Sequence, residues 1–231
     1  MARTMTRSVP IALALAALSA CPTAAAQVTH DAGAWVNVTV QGASARPLAW
    51  FVEVQPRLQD DLGRLDQVIL RGALGKKVAK GLTLYQGYAH VAMPVRGGRD
   101  LNEERLFQQV SWVVPGLRRG ELSSRFRLEQ RWRSDGTDVQ HRVREMVRLE
   151  YPLGRDDGIR ALTSMEGFVV LNSVDWRRRS GFDQLRTFVG AEIPVGGTST
   201  VEAGYMNQII DQPGGAARVN HNVSLALFWR L

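Results

Sequence analysis

Apolar and polar residues alternate along most of this chain in runs of roughly ten, the length of a membrane-crossing strand. Between Glu121 and Arg133 one face carries Leu122, Ser124, Phe126, Leu128, Gln130 and Trp132. The other carries Ser123, Arg125, Arg127, Glu129, Arg131 and Arg133. A period of two puts these sets on opposite sides of a strand. The next run sets Val139, Val143, Val147, Leu149 and Tyr151 against Gln140, Arg142, Arg144, Arg148 and Glu150. The last sets Val219, Val223, Leu225, Leu227, Trp229 and Leu231 against Asn220, Asn222, Ser224 and Arg230. Trp50, Val52 and Val54 oppose Glu53, Gln55 and Arg57 in the same way.

Breaks rich in Gly, Pro, Asp and Asn divide the chain into predicted strands over 34–41, 48–58, 66–78, 82–93, 105–114, 121–133, 139–151, 160–172, 182–193, 198–210 and 218–231. Asp135-Gly136, Pro115-Gly116, Gly196-Gly197 and Pro213-Gly214-Gly215 supply turn chemistry between them. Such spacing fits a sandwich or a barrel. A soluble sandwich would read apolar-in and polar-out with strands of about 5–6 residues, whereas tilted membrane strands need about 9–11. Length, an export signal and aromatic residues near strand ends (Trp35, Trp112, Trp132, Tyr151, Trp176, Trp229) predict an all-β fold. The expected architecture is an antiparallel up-and-down transmembrane β-barrel of 10–12 strands, apolar outside and polar inside. Bacterial barrels usually have even strand numbers, so the expectation is ten, if 34–41 is not in the wall, or twelve, if a segment hides a turn. Breaks at 42–47, 75–81, 115–120, 152–158 and 194–198 are expected on the periplasmic side. Those at 59–65, 94–104, 134–138, 173–181 and 211–217 are expected outside. His141, Glu145 and His221 fall on the nominal lipid face, unless bulges shift the register.

The ends change the picture. Arg3 and Arg7, the apolar run from Val9 to Ala20, and Ala24-Ala25-Ala26 read as a cleaved secretory signal over 1–26, leaving one domain over 27–231. The expected location is the outer membrane of a Gram-negative bacterium. Leu18-Ser19-Ala20-Cys21 also resembles a lipobox, so Cys21 is either acylated as a lipoprotein anchor or discarded, and removal is the preferred reading. Cys21 is the sole cysteine; its loss leaves no thiol chemistry or disulfide. The formal net charge is +7, and losing Arg3 and Arg7 leaves about +5. Export argues against nucleic acid as the partner of that charge.

By parity the interior receives Glu53, Gln55, Arg57, Arg125, Arg127, Glu129, Arg131, Arg142, Arg144, Arg148 and Glu150, and less firmly Arg186, Glu192, Glu202, Asn220 and Asn222. Arginine bonds carboxylates through a planar fork and stays charged, so one reading is an ion-paired lumen that holds the wall together. Arginine outnumbers glutamate on these faces, so the other is a channel preferring small anions. No phosphate loop, H-E-x-x-H motif or Gly-x-Ser-x-Gly elbow is present, and no catalytic residue, metal or cofactor is assigned. A lipid-acting enzyme would need His221 or His90 to meet a serine on the outer wall. Ser224 lies on the other face from His221, Asn220, His221 and Ser224 do not share a face, and His90 has no carboxylate nearby in sequence.

The chain resembles the bacterial outer-membrane proteins grouped as DUF2490 over nearly all of its mature length. The resemblance rests on Trp35, Glu53-Val54-Gln55-Pro56-Arg57-Leu58 and Glu104-Arg105-Leu106-Phe107-Gln108-Gln109. It continues in Arg125-Phe126-Arg127-Leu128-Glu129-Gln130-Arg131, its most specific part, and in the run from Arg142 to Leu149. It implies a barrel in the outer membrane and no substrate. The expected partners are outer-membrane lipid and lipopolysaccharide, and the barrel-assembly machinery through the C-terminal strand. That strand ends Phe228-Trp229-Arg230-Leu231 rather than on the usual terminal aromatic.

Overall fold

The computed structural model describes residues 27–42, 47–154, 158–177 and 179–231; the expected signal over 1–26, with Cys21, lies outside them. Its strands are β1 (Val28–Gln41), β2 (Leu48–Gln59), β3 (Arg64–Ala79), β4 (Leu82–Met93), β5 (Leu101–Val114) and β6 (Glu121–Arg133). They continue as β7 (Gln140–Pro152), β8 (Arg160–Val170), β9 (Gly181–Gly196), β10 (Ser199–Asp211) and β11 (Ala217–Arg230). Each pairs antiparallel with the next, and β11 pairs with β1 to close the barrel. A turn of 3-10 helix at Pro213–Gly215 is the one helical element among the described residues. No described helix is long and apolar enough to cross a membrane.

Eleven alternating strands leave the first and last running the same way, so closure has to be parallel. The register runs from Val28 opposite Ala217 to Gln41 opposite Arg230. This corrects the choice between ten and twelve: β1 is a wall strand and no segment hides a turn. The turn expected over 75–81 shrinks to 80–81, because β3 continues through Gly75 to Ala79. Gly75 marks a close approach instead of a bend: a Cβ there would sit 2.4 Å from the ring of Tyr85, its cross-strand partner. β5 likewise starts at Leu101, earlier than the alternation placed it, since Leu101 pairs with Met93.

One rim, called upper, holds the start of β1 and the connections 60–63, 94–100, 134–139, 171–177 with 179–180, and 212–216; the other holds 80–81 and 197–198 among its turns. Two upper connections are latched together. The Asp175 carboxylate accepts from the Thr137 amide at 2.7 Å and hydroxyl at 3.1 Å, and the Trp176 indole donates to the Asp138 carbonyl at 3.1 Å.

Polarity is inverted relative to a soluble barrel. Leu74, Met165, Val189 and Val223 are more than half exposed on the outer wall, while Arg127, Glu129, Gln140, Asn220 and Asn222 are almost wholly buried inside. Trp112, Tyr151 and Trp229 stand outward near the lower rim, as an aromatic girdle requires. Trp35 does not belong to that girdle. It is 3% exposed and opposes Arg57 on the inner face, because β1 begins at Val28 and places Trp35 mid-strand. His141, Glu145 and His221 stay outward and exposed without a register shift. Two of the three side chains find partners: Glu145 accepts from the Ser124 hydroxyl at 2.5 Å, and His221 bonds His30 and Tyr205; at His141 it is the backbone amide that donates to Asn172, at 2.7 Å.

The interior is also more apolar than alternation indicated. Ile69, Ala89 and Val91 form a small cluster, and Phe107 and Phe168 are buried beside the charges. Glycine makes room for such rings. A Cβ on Gly87 would fall 2.1 Å from Phe107 Cζ, and Gly190 and Gly204 oppose one another where a Cβ on either would lie 2.7 Å from Phe188 Cζ.

Candidate functional site: an ion-paired lumen

Directly opposed like charges should push adjacent strands apart, yet β5–β7 oppose Arg105 to Arg131 and Arg127 to Arg144. Carboxylates one step along the strands resolve both. Glu103 accepts from Arg105 at 2.6 Å and from Arg131 at 2.6 and 2.9 Å. Glu129 accepts from Arg142 at 2.5 Å and Arg144 at 2.8 Å, with Arg127 at 3.7 Å. Other pairs skip a strand and tie next-but-one neighbours together: Arg125 reaches Glu166 at 2.8 Å, and Arg142 reaches Asp183 at 3.3 Å. Glu166 also accepts from Arg144 at 2.8 Å, and Glu53 from Arg71 at 2.5 Å. Aromatic faces carry part of the remaining charge: Arg127 lies 4.3 Å from the centre of Phe107, and Arg144 and Arg186 lie 4.6 and 4.4 Å from that of Phe168.

All ten residues assigned to the lumen network point inward. Glu53, Arg57, Arg127, Glu129, Arg131, Arg142, Arg144 and Glu150 are buried, and Arg125 and Arg148 are half-buried. Alternation missed Arg71, Glu103, Arg105, Glu166 and Asp183. Each sits on a strand whose inner face mixes apolar and charged groups, so the two faces look alike in sequence. Glu103 and Asp183 adjoin a second polar residue, Glu104 and Gln184, which blurs parity further.

These additions change the electrostatics. The least exposed charged residues comprise seven arginines (Arg57, Arg71, Arg105, Arg127, Arg131, Arg142, Arg144) and seven acids (Glu53, Glu103, Glu129, Glu150, Glu166, Asp183, Glu192). With the half-buried inward residues Arg125, Arg148, Arg186 and Glu202 the lumen holds ten arginines to eight acids, so the arginine excess is small overall and pronounced only locally. Near the lower rim Arg148 meets Glu150 at 2.7 Å, Glu202 at 2.7 Å and Glu192 at 3.3 Å, so acids collect there. A vestibule of about 620 Å³ opens at that end, lined by Lys77, Lys80, Arg148 and Arg230 as well as Glu121, Glu150 and Glu202. Higher up the bore narrows to two chambers of about 170 and 190 Å³.

The histidines lie on the outer wall. His90 has the carboxylate partner that local sequence did not reveal: its Nδ1 lies 2.8 Å from Glu104, across β4 and β5, and Tyr88 donates to the same group. His221 bonds the Tyr205 hydroxyl at 2.6 Å and His30 at 3.0 Å. No cluster of metal-ligating side chains occurs among the described residues.

The fold and its interior define a closed eleven-strand β-barrel of inverted polarity, with a charge-paired core and an apolar outer wall. The chain belongs to the DUF2490 family, described as proteins of unknown function, whose profile matches residues 32–220. An uncharacterized protein of Methylorubrum extorquens is 45% identical over 210 residues, spanning 90% of this chain and 91% of that protein. No solved structure matches the chain.

Proposed function

We infer that this protein is an exported outer-membrane barrel whose ion-paired lumen stiffens the wall and leaves a narrow path for small solutes, preferentially anions. One observation carries the reading: large apolar side chains cover the outer wall while charges fill the inside. Val52, Leu74, Met165, Val189 and Val223, on five different strands, are each at least 55% exposed. A soluble monomer seldom exposes contiguous apolar patches beyond a few hundred Å²; a lipid-facing wall must. Strands of 11–16 residues, at ~3.3 Å each and tilted ~40°, rise ~28–40 Å, enough to cross a bilayer's ~30 Å hydrocarbon core. Lipid and lipopolysaccharide are the proposed neighbours of this wall, and the assembly machinery would recognise β11.

The test is conductance of the refolded chain from residue 27 in a planar bilayer, with folding checked by heat-modifiable gel migration. Small, discrete openings with an anion-selective reversal potential are expected. A folded barrel that never conducts would reduce the role to a structural, plugged barrel. A membrane-lipid enzyme and a Cys21-anchored lipoprotein are the competing readings. Altered lipid A or phospholipid profiles on overexpression would favour the first, and an acylated Cys21 in the mature protein the second.

A further inference from the structure

We propose that the upper chamber of the lumen is a binding site for a small oxyanion of the phosphate type, held between Arg57 and Arg186 beside Trp35. The site deepens the reading of the lumen as an anion path, and rests on that reading only for how the ion gets in. The chamber measures about 190 Å³, below the ~300–1,000 Å³ of pockets for drug-sized ligands, so its occupant is an ion of a few atoms. Ten arginines line it against three carboxylates, Asp66, Glu103 and Asp183. Those carboxylates are already engaged. Glu103 is held by Arg105 and Arg131, Asp183 by Arg142 and Arg177, and Asp66 by Arg64.

The cations left over converge. Arg57 is 6% exposed, and its guanidinium bonds only the neutral side chains of Gln55 and Gln67 among the described residues. Arg186 has a single distant carboxylate, Glu166 at 3.8 Å; its buried Nε has no hydrogen-bond partner, nor have Arg218 Nε and the Trp35 indole nitrogen, on the same chamber wall. The guanidinium carbons of Arg57 and Arg186 lie 3.7 and 4.8 Å from the Trp35 ring centre. A buried carboxylate or lysine can shed its charge, but arginine cannot. Two buried forks with spare donors are therefore matched by an anion that accepts from several N–H groups at once, as phosphate does.

The experiment measures the unfolding midpoint of the refolded, detergent-solubilised barrel in inorganic phosphate against chloride at matched ionic strength. Binding to the folded state alone multiplies the folding equilibrium constant by about 100 when phosphate stands at 100 times its dissociation constant. A saturable rise in midpoint with phosphate and none with chloride is expected. In Arg57→Gln/Arg186→Gln the phosphate response should vanish. Arg57→Lys/Arg186→Lys, which keeps the charge and protects against loss of folding, should weaken binding about tenfold by losing the forks. An equal response to both salts, or a full response in either double variant, overturns the site. A silent barrel that still responds to phosphate refutes the channel and keeps the site; a conducting barrel that does not respond refutes the site alone.

Discussion

The guanidinium carbon of Arg57 lies 3.7 Å from the ring centre of Trp35, and the two residues face one another across β1 and β2. The contact joins the first strand of the wall to the second from inside, and Arg186 of β9 touches the same ring at 4.8 Å. Trp35 thus gives two buried cations, from β2 and β9, one shared aromatic partner.

Trp35→Ala should lower the stability of the refolded barrel by about 3–5 kcal/mol, the usual loss for a buried large aromatic, and Trp35→Phe by much less, since a ring remains for both guanidinia. Urea titration followed on gels that separate folded from unfolded barrel measures both. Equal midpoints for Trp35→Ala and the parent chain would show that the stacking carries no weight.

Glu129 is 1% exposed and binds Arg142 at 2.5 Å and Arg144 at 2.8 Å. Glu129→Gln should destabilise by about 3–5 kcal/mol, because it leaves arginine charge buried without its counter-charge. Adding Arg142→Gln should recover part of that loss. A double variant whose loss equals the sum of the two single losses would mean that the pair is not coupled.

How much of this was legible in the sequence follows from which strands keep their faces chemically distinct. β6 and β7 read cleanly because arginine and glutamate fill most inward positions, so their network residues follow from parity, with the bounds of β6 met at both ends and those of β7 shifted by one residue. β4 is placed to the residue by Lys80-Gly81 on one side and Pro94 on the other. β8 carries Leu162, Phe168 and Val170 inward with Glu166, and no count of alternation reveals that carboxylate. Trp35 looked like a rim aromatic because the six residues before it lack strand-like apolar content. Their pairing with β11 is set by closure of the whole sheet, which no local pattern encodes. Gly75 shows the same limit from the other side: a glycine read as a bend was making room for Tyr85.

The latch between the upper connections should respond to acid. Hydrogen bonds from Thr137, and from the amides of Asp138 and Trp176, hold the Asp175 carboxyl below the ordinary aspartate range. A depressed folded-state pKa means that its contribution is present above the unfolded value of about 3.9 and is lost as pH falls through the lower folded value. Protection of the Thr137 and Asp138 amides from hydrogen exchange, corrected for the intrinsic pH dependence, should therefore be flat from pH 7 to 5 and drop below about pH 4. Asp175→Ala should abolish that protection at every pH and expose 134–139 to protease. Unchanged protection in the variant would remove Asp175 from the latch.

Parallel closure makes a geometric demand that cysteine pairs can test without background, since the sole cysteine of the chain is Cys21 and the refolded barrel begins after it. Ala34 of β1 lies opposite Val223 of β11, and His30 lies opposite Val219. Neighbouring strands stand about 4.8 Å apart, inside the usual Cα range of about 4.4–6.8 Å for a disulfide. Ala34→Cys/Val223→Cys should therefore cross-link under mild oxidation, giving a species of altered mobility on non-reducing gels. Closing the seam covalently should also raise the temperature at which the barrel unfolds. Ala34→Cys/Val219→Cys, offset by four residues or about 13 Å along the strand, should not cross-link. Linkage of the offset pair would mean a slipped register. Failure of both, in barrels shown to be folded, would take β1 out of the wall and return the count to ten strands.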